Sequence, residues 1–421
     1  MLSLTVISAN QGEAYYTAEN YYSNEETQAY SGWFGKGAKQ LGLSGQVQGD
    51  AFKNLLHGYR PRGDSSLSGR KVDSERHRAG IDLTFSAPKS ISLAALVGGN
   101  DVLEQAHYTA VARTLEVIEQ RYAQTRVRTP EGRQVLTTGN LIVAQFHHDT
   151  SREKDPQLHT HCVVINATQR EEGRWQSLHN DILFKHQKLL GMIYQNELAV
   201  EVQRLGYAIE PRTNGQFELQ GYNPDMLQTF SKRREQILAA VGEGATAQER
   251  ELATLMTRAP KGNEIPREEL RAFWQEQAQV LNLDHPQPQM VVDWQSQPKK
   301  SVQAGLHHCS EREAVFHREQ VERFALENHL GQQFFEDVEQ TLDSDPEVIH
   351  THDQRLTTQT AVLRELETIR TVLDGRGQVG AIATEDWVAT QLEHQGLTQT
   401  QGQYEGVLLA ATTPDRFIAW Q

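Results

Sequence analysis

The segment His147–Cys162, "HHDTSREKDPQLHTHC", places four histidines within one short stretch of chain. If "LHTHCVVIN" is a β-strand, His159 and His161 point to the same face, roughly 6.5–7 Å apart. The run predicted to pair with it, "TTGNLIVAQFHHD", ends in His147 and His148, and one of these must share that face. Strand parity alone does not choose between them, and it turns Cys162 to the opposite face as a buried residue.

Three same-face imidazoles would make a catalytic rather than a structural metal site. Neutral nitrogen ligands hold a divalent ion while leaving positions open for substrate and water. The alternative is that these are surface histidines near a hairpin loop, or core histidines satisfied by hydrogen bonds.

Two tyrosine pairs lie near the N-terminus, in "EAYYTAENYYSNEETQAY". Tyr15–Tyr16 and Tyr21–Tyr22 could pack a helix against a sheet. A phenol is also a competent nucleophile toward phosphorus when a base and a Lewis acid are at hand. Asp82, a lone acid in the apolar run "GIDLTFS", needs a partner. That partner could be an arginine such as Arg78 or a ligand histidine, and the carboxylate could also accept a tyrosine's proton.

The elements around these residues predict an α/β (α+β) fold. "LSLTVISA" and "GIDLTFSAP" read as strands, and the two histidine-bearing runs read as a hairpin. Apolar residues at helical spacing predict long helices in "NDVLEQAHYTAVARTLEVIEQRYAQTR" and "KHQKLLGMIYQNELAVEVQRLGY". No βαβ repeat supports a doubly wound sheet.

Composition bounds the class of protein. A chain of 421 residues with two cysteines excludes a disulfide framework and suits a reducing cytosol. No stretch approaches the ~18 apolar residues of a membrane span. The net charge is −14, but residues 301–421 carry 8 Lys and Arg against 20 Asp and Glu. The acidity is therefore concentrated in the last third, and polyanion binding by the N-terminal part is not excluded.

The chain divides at "DHPQPQMVVDWQSQPKK", which is rich in proline and glutamine and lacks periodicity. We expect a catalytic domain at 1–285, a linker at 286–300 and an acidic, mostly helical segment at 301–421.

The set "YY…YY", "GIDLTFSAPKSISLAALV", "KDPQLHTH" and "LGMIYQNELAVEVQRLGY" resembles the relaxase domain of TrwC/TraI-type conjugative relaxases, the MobF class, over roughly residues 1–285. The resemblance implies an HUH-endonuclease, palm-like fold. Its core would be a central, mainly antiparallel sheet of about five strands flanked by helices. It also implies metal-dependent nicking of single-stranded and hairpin origin-of-transfer DNA through a 5′-phosphotyrosine, followed by strand transfer.

Carried over by position, Tyr15 matches the primary nucleophile of the family and Tyr21 the second tyrosine. Tyr16 and Tyr22 are their neighbours, and Asp82 matches the supporting acid. The resemblance selects His148 over His147 as the third metal ligand, so the ligand set is His148, His159 and His161. The spacer between the tyrosine pairs is short, from Thr17 to Asn20.

Further expectations concern cofactor, partners and location. We expect one divalent metal ion, with Mg or Mn in use and Zn, Ni or Co able to occupy the site. Arg76, Arg78 and Lys89 flank the Asp82 strand and are candidates for phosphate contact. By resemblance, partners would include DNA-bending accessory proteins and a type IV coupling protein. We expect a cytoplasmic bacterial protein without membrane insertion, transferred into the recipient cell.

The last residues, "LTQTQGQYEGVLLAATTPDRFIAWQ", resemble the opening of a RecD-like helicase, and no GxxxxGK[ST] motif occurs. We therefore expect a fragment that stops before the phosphate-binding loop and lacks ATPase activity.

Three alternatives stay open. A rolling-circle replication initiator or transposase of the same chemistry usually carries its tyrosines after the His-x-His. A three-histidine metallohydrolase or oxygenase would need no tyrosine. A non-catalytic DNA-binding scaffold would keep the fold alone.

Overall fold

The computed structural model describes residues 1–9, 31–69, 78–130, 132–151, 153–242, 244–245, 266–289, 294–394 and 399–418. Both tyrosine pairs and Arg76 lie outside these residues. The chain forms two compact units. Unit 1 is Met1–Gly305 with Glu319–Thr341, and unit 2 is Leu306–Arg318 with Leu342–Gln421.

The strands, in chain order, are β1 Leu2–Ser8, β2 Ser31–Phe34, β3 Arg78–Ser86, β4 Gln124–Thr129, β5 Gly132–Thr137, β6 Val143–Thr150, β7 Pro156–Ile165, β8 Thr168–Gln169, β9 Trp175–Gln176, β10 Ile209–Pro211, β11 Phe217–Leu219, β12 Val348–His350 and β13 Leu356–Thr358. The helices are α1 Lys36–Gln40, α2 Gly49–Leu56, α3 Lys89–Leu96, α4 Asp101–Val117, α5 Asp181–Lys185, α6 Gln187–Arg204, α7 Pro224–Thr229, α8 Lys232–Val241, α9 Arg267–Val280, α10 Pro298–Ser310, α11 Arg318–Asn328, α12 Phe335–Ser344, α13 Gln359–Asp374, α14 Glu385–His394 and α15 Gln401–Thr412.

A five-stranded sheet forms the centre of unit 1, in the order β1-β3-β7-β6-β2. Every neighbouring pair is antiparallel. The fold class is therefore confirmed as α/β with a mainly antiparallel sheet and a mostly helical C-terminal part. The predicted histidine hairpin is β6–β7.

Helices cover both faces of the sheet. On one face, α1 and α2 close a core in which Phe52 packs edge-on against Phe146 of β6, with ring centroids 5.4 Å apart. On the other face lie α3, α4 and α6, where Tyr194 packs against Phe85 of β3 at 5.2 Å. Alternating side chains thus meet two different environments, and a one-residue slip in register would exchange them.

The first long helix ends earlier than the periodicity predicts. α4 passes into one π-helical turn, Ile118–Tyr122, and β4 begins at Gln124. The residues "QTRVRT" therefore belong to a two-stranded ribbon, β4–β5. A short alternating run next to a long helical pattern is easily absorbed into it when only periodicity is read.

Part of the chain beyond residue 285 packs within unit 1. Glu322 of α11 is fully buried and forms an ion pair with Arg121, 2.9 Å away. The Asn196 side chain accepts from Gly331 N and donates to Gln333 O. The two compact units therefore do not coincide with the predicted boundaries at residues 285 and 301. The predicted division into functional domains stays a prediction.

In unit 2, β12 and β13 pair as a short hairpin. Thr358 caps α13, and Thr400 forms a capping box with Gln403 at the start of α15. Across the described residues, no helix combines the length and apolarity that crossing a membrane requires.

Gly80 of β3 offers a test of how closely the sheet is packed. A Cβ at this position would meet the backbone carbonyl of Val164 on β7. We expect Gly80→Ala to destabilise unit 1 by about 1–3 kcal/mol, the usual cost of overpacking. Urea unfolding followed by circular dichroism measures the change.

Gly191→Ala in α6 is the matched control. Its Cβ would meet Leu2 Cβ at 3.5 Å, an ordinary contact, and alanine is favoured over glycine within a helix by about 1 kcal/mol. An equal urea midpoint for the two variants would contradict this account of the β3–β7 contact.

Candidate functional site

Strand register brings the three predicted ligand histidines to one face. His148 lies directly opposite His159, and Ser86 of β3 completes that cross-strand row. His161 lies opposite Thr84 in the next same-face row. His147 pairs with Thr160, the buried residue between the two histidines of β7, and therefore faces the side of the sheet covered by α3, α4 and α6. The geometry groups His148, rather than His147, with the other two.

The three rings form a nearly equilateral triangle. Their centroids are 5.3 Å apart for His148–His159, 5.3 Å for His148–His161 and 5.2 Å for His159–His161. Three imidazoles bound at about 2.1 Å to one tetrahedral ion would have centroids roughly 5.3 Å apart. The spacing therefore suits a shared metal ion.

The ring orientations are less converged than the spacing. His148 and His159 are nearly parallel, with an interplanar angle of 25°, whereas His161 stands at 88° to His148. Within the described part of the chain, no group of three or more His, Cys, Asp or Glu side chains already has the geometry of a metal site. Turning each ring about its bond to Cβ moves the nitrogen atoms while nearly preserving the centroids, and this torsion is soft.

Asp82 holds one ring of the cluster. Its Oδ2 is 2.6 Å from His161 Nδ1, and Thr84 Oγ1 is 3.1 Å from the same nitrogen. The partner of this buried acid is thus a histidine and not Arg78, whose side chain is exposed. A carboxylate on Nδ1 fixes the tautomer and leaves Nε2 as the nitrogen for a metal. The sequence analysis did not predict a role for Thr84. The available signal was its position two residues after Asp82, which places both side chains on the same face of β3.

Burial favours the neutral form of the His159 imidazole. Burial, followed by repulsion from His161, lowers the pKa of His159 to about 3. A neutral ring is the form that binds a metal, and it preserves the positive charge of the ion.

The loop between β6 and β7 is held by α9. Arg267 forms an ion pair with Asp149, and Trp274 Nε1 donates to Lys154 O at 2.8 Å. Lys154 adopts a positive φ of 60°, a conformation that is uncommon for a residue other than glycine. These contacts fix the path of the chain between the two histidine-bearing strands.

The predicted phosphate contacts have different surroundings. Lys89 Nζ donates to Pro156 O, 2.8 Å away, at the start of β7. Burial lowers the pKa of Lys89 to about 8. Arg78 begins β3 with an exposed side chain, and Arg76 lies outside the described residues. Lys89 thus ties α3 to the histidine strand, and DNA contact by the three stays a prediction.

The β4–β5 ribbon presents a basic face that the sequence reading missed. Arg128 lies opposite Arg133 and Arg126 opposite Val135, so all four project from one face. All four are exposed, and Arg126 pairs with Asp181 at 2.7 Å. Alternating arginines in "TRVR" were the signal that could have revealed this face.

The fold and site define an antiparallel α/β protein with a three-histidine cluster, one ring of which is held by a buried acid. The family model described as TrwC relaxase matches residues 9–281. The chain belongs to the TrwC relaxase family.

Curated relatives agree with the family match. The multifunctional conjugation protein TraI of Escherichia coli is 41% identical over 299 residues, covering 68% of this chain and 16% of the relative. TraI of Escherichia coli strain K12 is 39% identical over 283 residues, covering 64% of this chain and again 16% of the relative. This chain therefore spans about a sixth of the length of these relatives.

Solved structures match the same part of the chain. The conjugative relaxase TrwC in complex with oriT DNA, in a metal-free structure, is 41% identical with a TM-score of 0.61, covering 68% of this chain and all of that one. A metal-bound TrwC–oriT structure is 40% identical with the same TM-score and coverage. The metal-bound relative supports a metal cofactor in the family.

Proposed function

We propose that this chain nicks one strand of origin-of-transfer DNA in conjugation and rejoins it by strand transfer. One observation carries the proposal: a same-face histidine triangle, braced by Asp82, in a member of the TrwC relaxase family. TrwC itself has been solved with a 27-mer DNA comprising the recognition hairpin and the cleavage site. Family membership favours this function over a replication initiator, a metallohydrolase or a scaffold.

In the proposed reaction Tyr15 attacks the scissile phosphorus. A bond forms between its phenol oxygen and phosphorus while the bond to the 3′ oxygen breaks. The products are a 5′-phosphotyrosine and a free 3′-OH. The phenol proton passes toward Asp82, whose Oδ1 is buried with no hydrogen-bond partner among the described residues. Tyr21 would act in a second cleavage, with Tyr16 and Tyr22 as neighbours of the two nucleophiles.

His148, His159 and His161 would hold one divalent ion. When bound, the ion offsets charge on the scissile phosphate. The chain's own part is to supply three imidazoles and, through Asp82 and Thr84, to fix the orientation of His161. We propose Mg or Mn as the ion in use. Zn, Ni or Co would also fit imidazole ligands.

The partners would be single-stranded and hairpin origin-of-transfer DNA. A two-stranded β-ribbon fits the major groove of a duplex, so we assign the basic face of β4–β5 to the hairpin arm. Arg76, Arg78 and Lys89 remain candidates near the nick. We also propose two protein partners, namely accessory DNA-bending proteins and a type IV coupling protein. The protein would act in the cytoplasm and pass into the recipient cell.

We propose that the chain is divided into a catalytic domain at 1–285, a linker at 286–300 and a helicase-like segment at 301–421 that has no ATPase activity.

The nucleophile assignment predicts loss of a covalent adduct. With a single-stranded oligonucleotide containing the nic sequence and a divalent metal, the protein should form an adduct that resists denaturing electrophoresis. Tyr15→Phe should reduce this adduct to background because it lacks the attacking oxygen. Tyr404→Phe, in unit 2, should leave the yield unchanged. A normal yield with Tyr15→Phe would refute the assignment.

The ligand assignment predicts which histidines a metal needs. Titration with Co²⁺, followed by its visible absorption, should give one ion per chain. His148→Ala should weaken binding by more than the ~10–100-fold that losing an outer partner costs. His147→Ala should still bind one ion, and His352→Ala should match the unchanged protein. Binding that survives His148→Ala but is abolished by His147→Ala would reverse the assignment.

The ribbon assignment predicts a change in salt dependence. Replacing Arg128 and Arg133 together by Gln should weaken binding to hairpin DNA. It should also flatten the slope of log K against log[salt] by about 1.8, since each lost phosphate contact contributes about 0.9. Fluorescence anisotropy at several salt concentrations measures this slope. The control replaces Arg364 and Arg370 of α13 by Gln, and equal slopes for the two variants would rule out the ribbon.

A further inference from the structure

Between the two rows that carry the histidine triangle lies a third row that faces the other way. Thr160 pairs with Phe85 of β3 on one side and with His147 of β6 on the other. Thr160 is fully buried, between His159 and His161 in sequence. A displacement of this middle row shifts both flanking rows, because all three share the same strands.

Four side chains form a hydrogen-bonded series behind the site. Tyr194 Oη lies 2.7 Å from His107 Nδ1, and His107 Nε2 lies 2.9 Å from Thr160 Oγ1. The same hydroxyl lies 2.9 Å from His147 Nδ1. The series therefore joins α6, α4, β7 and β6 through one threonine oxygen.

Proton supply gives this series a direction. Each neutral imidazole has one N–H, and each hydroxyl has one O–H. If Tyr194 donates to His107, then His107 donates to Thr160 and Thr160 donates to His147. Both hydroxyl protons and the N–H of His107 are then used. The reverse direction leaves the Tyr194 hydroxyl proton without an acceptor among the described residues. Such a series is cooperative, because reorienting one member breaks the bonds of the others.

The series acts where the strand ladder becomes irregular. The register of β6 and β7 is regular as far as His148–His159 and shifts between His148 and Thr150. A bulge increases local twist and removes ladder bonds. The last regular row is thus the candidate ligand pair His148–His159. The hydrogen bond between Thr160 and His147 lies in the neighbouring row.

We infer that Thr160 is a positioning residue for the metal site, clamping the β6–β7 rung so that the three histidines keep their common spacing. His107 and Tyr194 anchor the clamp to the helical layer, and His147 is its end on β6. The inference depends on the proposed function only in taking His148, His159 and His161 as metal ligands. It gives His147, which the ligand set excludes, a role of its own.

The test is Co²⁺ binding to the whole chain, without DNA. Thr160→Val removes the hydroxyl and keeps a β-branched side chain of similar size. We expect the Co²⁺ dissociation constant to rise about 10–100-fold, as for loss of an outer partner, with a changed visible spectrum. Thr160→Ser keeps the hydroxyl and should restore both affinity and spectrum.

The matched control is Thr125→Val. Thr125 is also buried in a strand of unit 1, and its hydroxyl donates to Ser177 O at 2.9 Å. It should lose stability without changing the Co²⁺ affinity. Tyr194→Phe removes only the far hydroxyl and should weaken Co²⁺ binding less than Thr160→Val does. It carries the test if Thr160→Val does not fold.

Two results would overturn the inference, and they are distinguishable. If Thr160→Val or Tyr194→Phe loses stability but keeps the unchanged affinity and spectrum, the series is structural only, and the proposed function stands. If the unaltered chain binds no Co²⁺, the metal site itself fails, and the positioning role fails with it.

Discussion

The register between β6 and β7 is the constraint on which the candidate site depends. Antiparallel pairing of His148 with His159 sets two rings side by side, and the period of two adds His161 on the same face. A slip of β6 by one residue would bring His147 to the face of the two β7 histidines and turn His148 to the opposite face. The register therefore has to be defined by more than backbone hydrogen bonds, especially where the ladder shifts just after His148.

The two faces of the sheet supply that definition in different ways. On the site face, the apolar core ends at Phe146, one residue before the histidine pair on β6. On the opposite face, covered by α3, α4 and α6, the row of Phe85, Thr160 and His147 has two polar members, and these form hydrogen bonds. Buried polar groups are costly when unpaired, so His107 and Thr160 accept few alternative arrangements. A polar row of this kind specifies position more sharply than an apolar one, since hydrogen bonds depend on direction as well as distance.

Unit 1 also recruits chain from beyond the predicted catalytic domain. Arg121 follows α4, and its partners Glu322 and Glu339 are about two hundred residues further on. Glu197 is buried in α6 and accepts from Phe335 N at 2.8 Å. Breaking such buried pairs leaves an uncompensated charge. His107 of α4 and Tyr194 of α6, which hold Thr160, therefore belong to helices that are stabilised partly by the later segment.

Much of the fold could be predicted from the sequence, because its signals are local. Alternation identified β3, β6 and β7, and helical spacing identified α6 and most of α4. The ribbon β4–β5 was missed because its few residues continue a stronger helical pattern. The packing of residues 294–305 and 319–341 within unit 1 was missed, because composition can indicate a linker but does not show which contacts the chain makes.

For the candidate site, the sequence by itself predicted the inventory: three histidines, one acid in an apolar strand and two tyrosine pairs, of which the tyrosines stay a prediction. It also determined that His159 and His161 share a face, since parity is a property of one strand. Strand parity left the third ring open between His147 and His148, and the family resemblance favoured His148. The tertiary structure groups His148 with the other two rings, brings Asp82 to His161 and turns His147 toward Thr160 on the opposite face. These contacts depend on the register between strands and on the helices packed against the sheet. The residue pattern of a single strand contains information about neither.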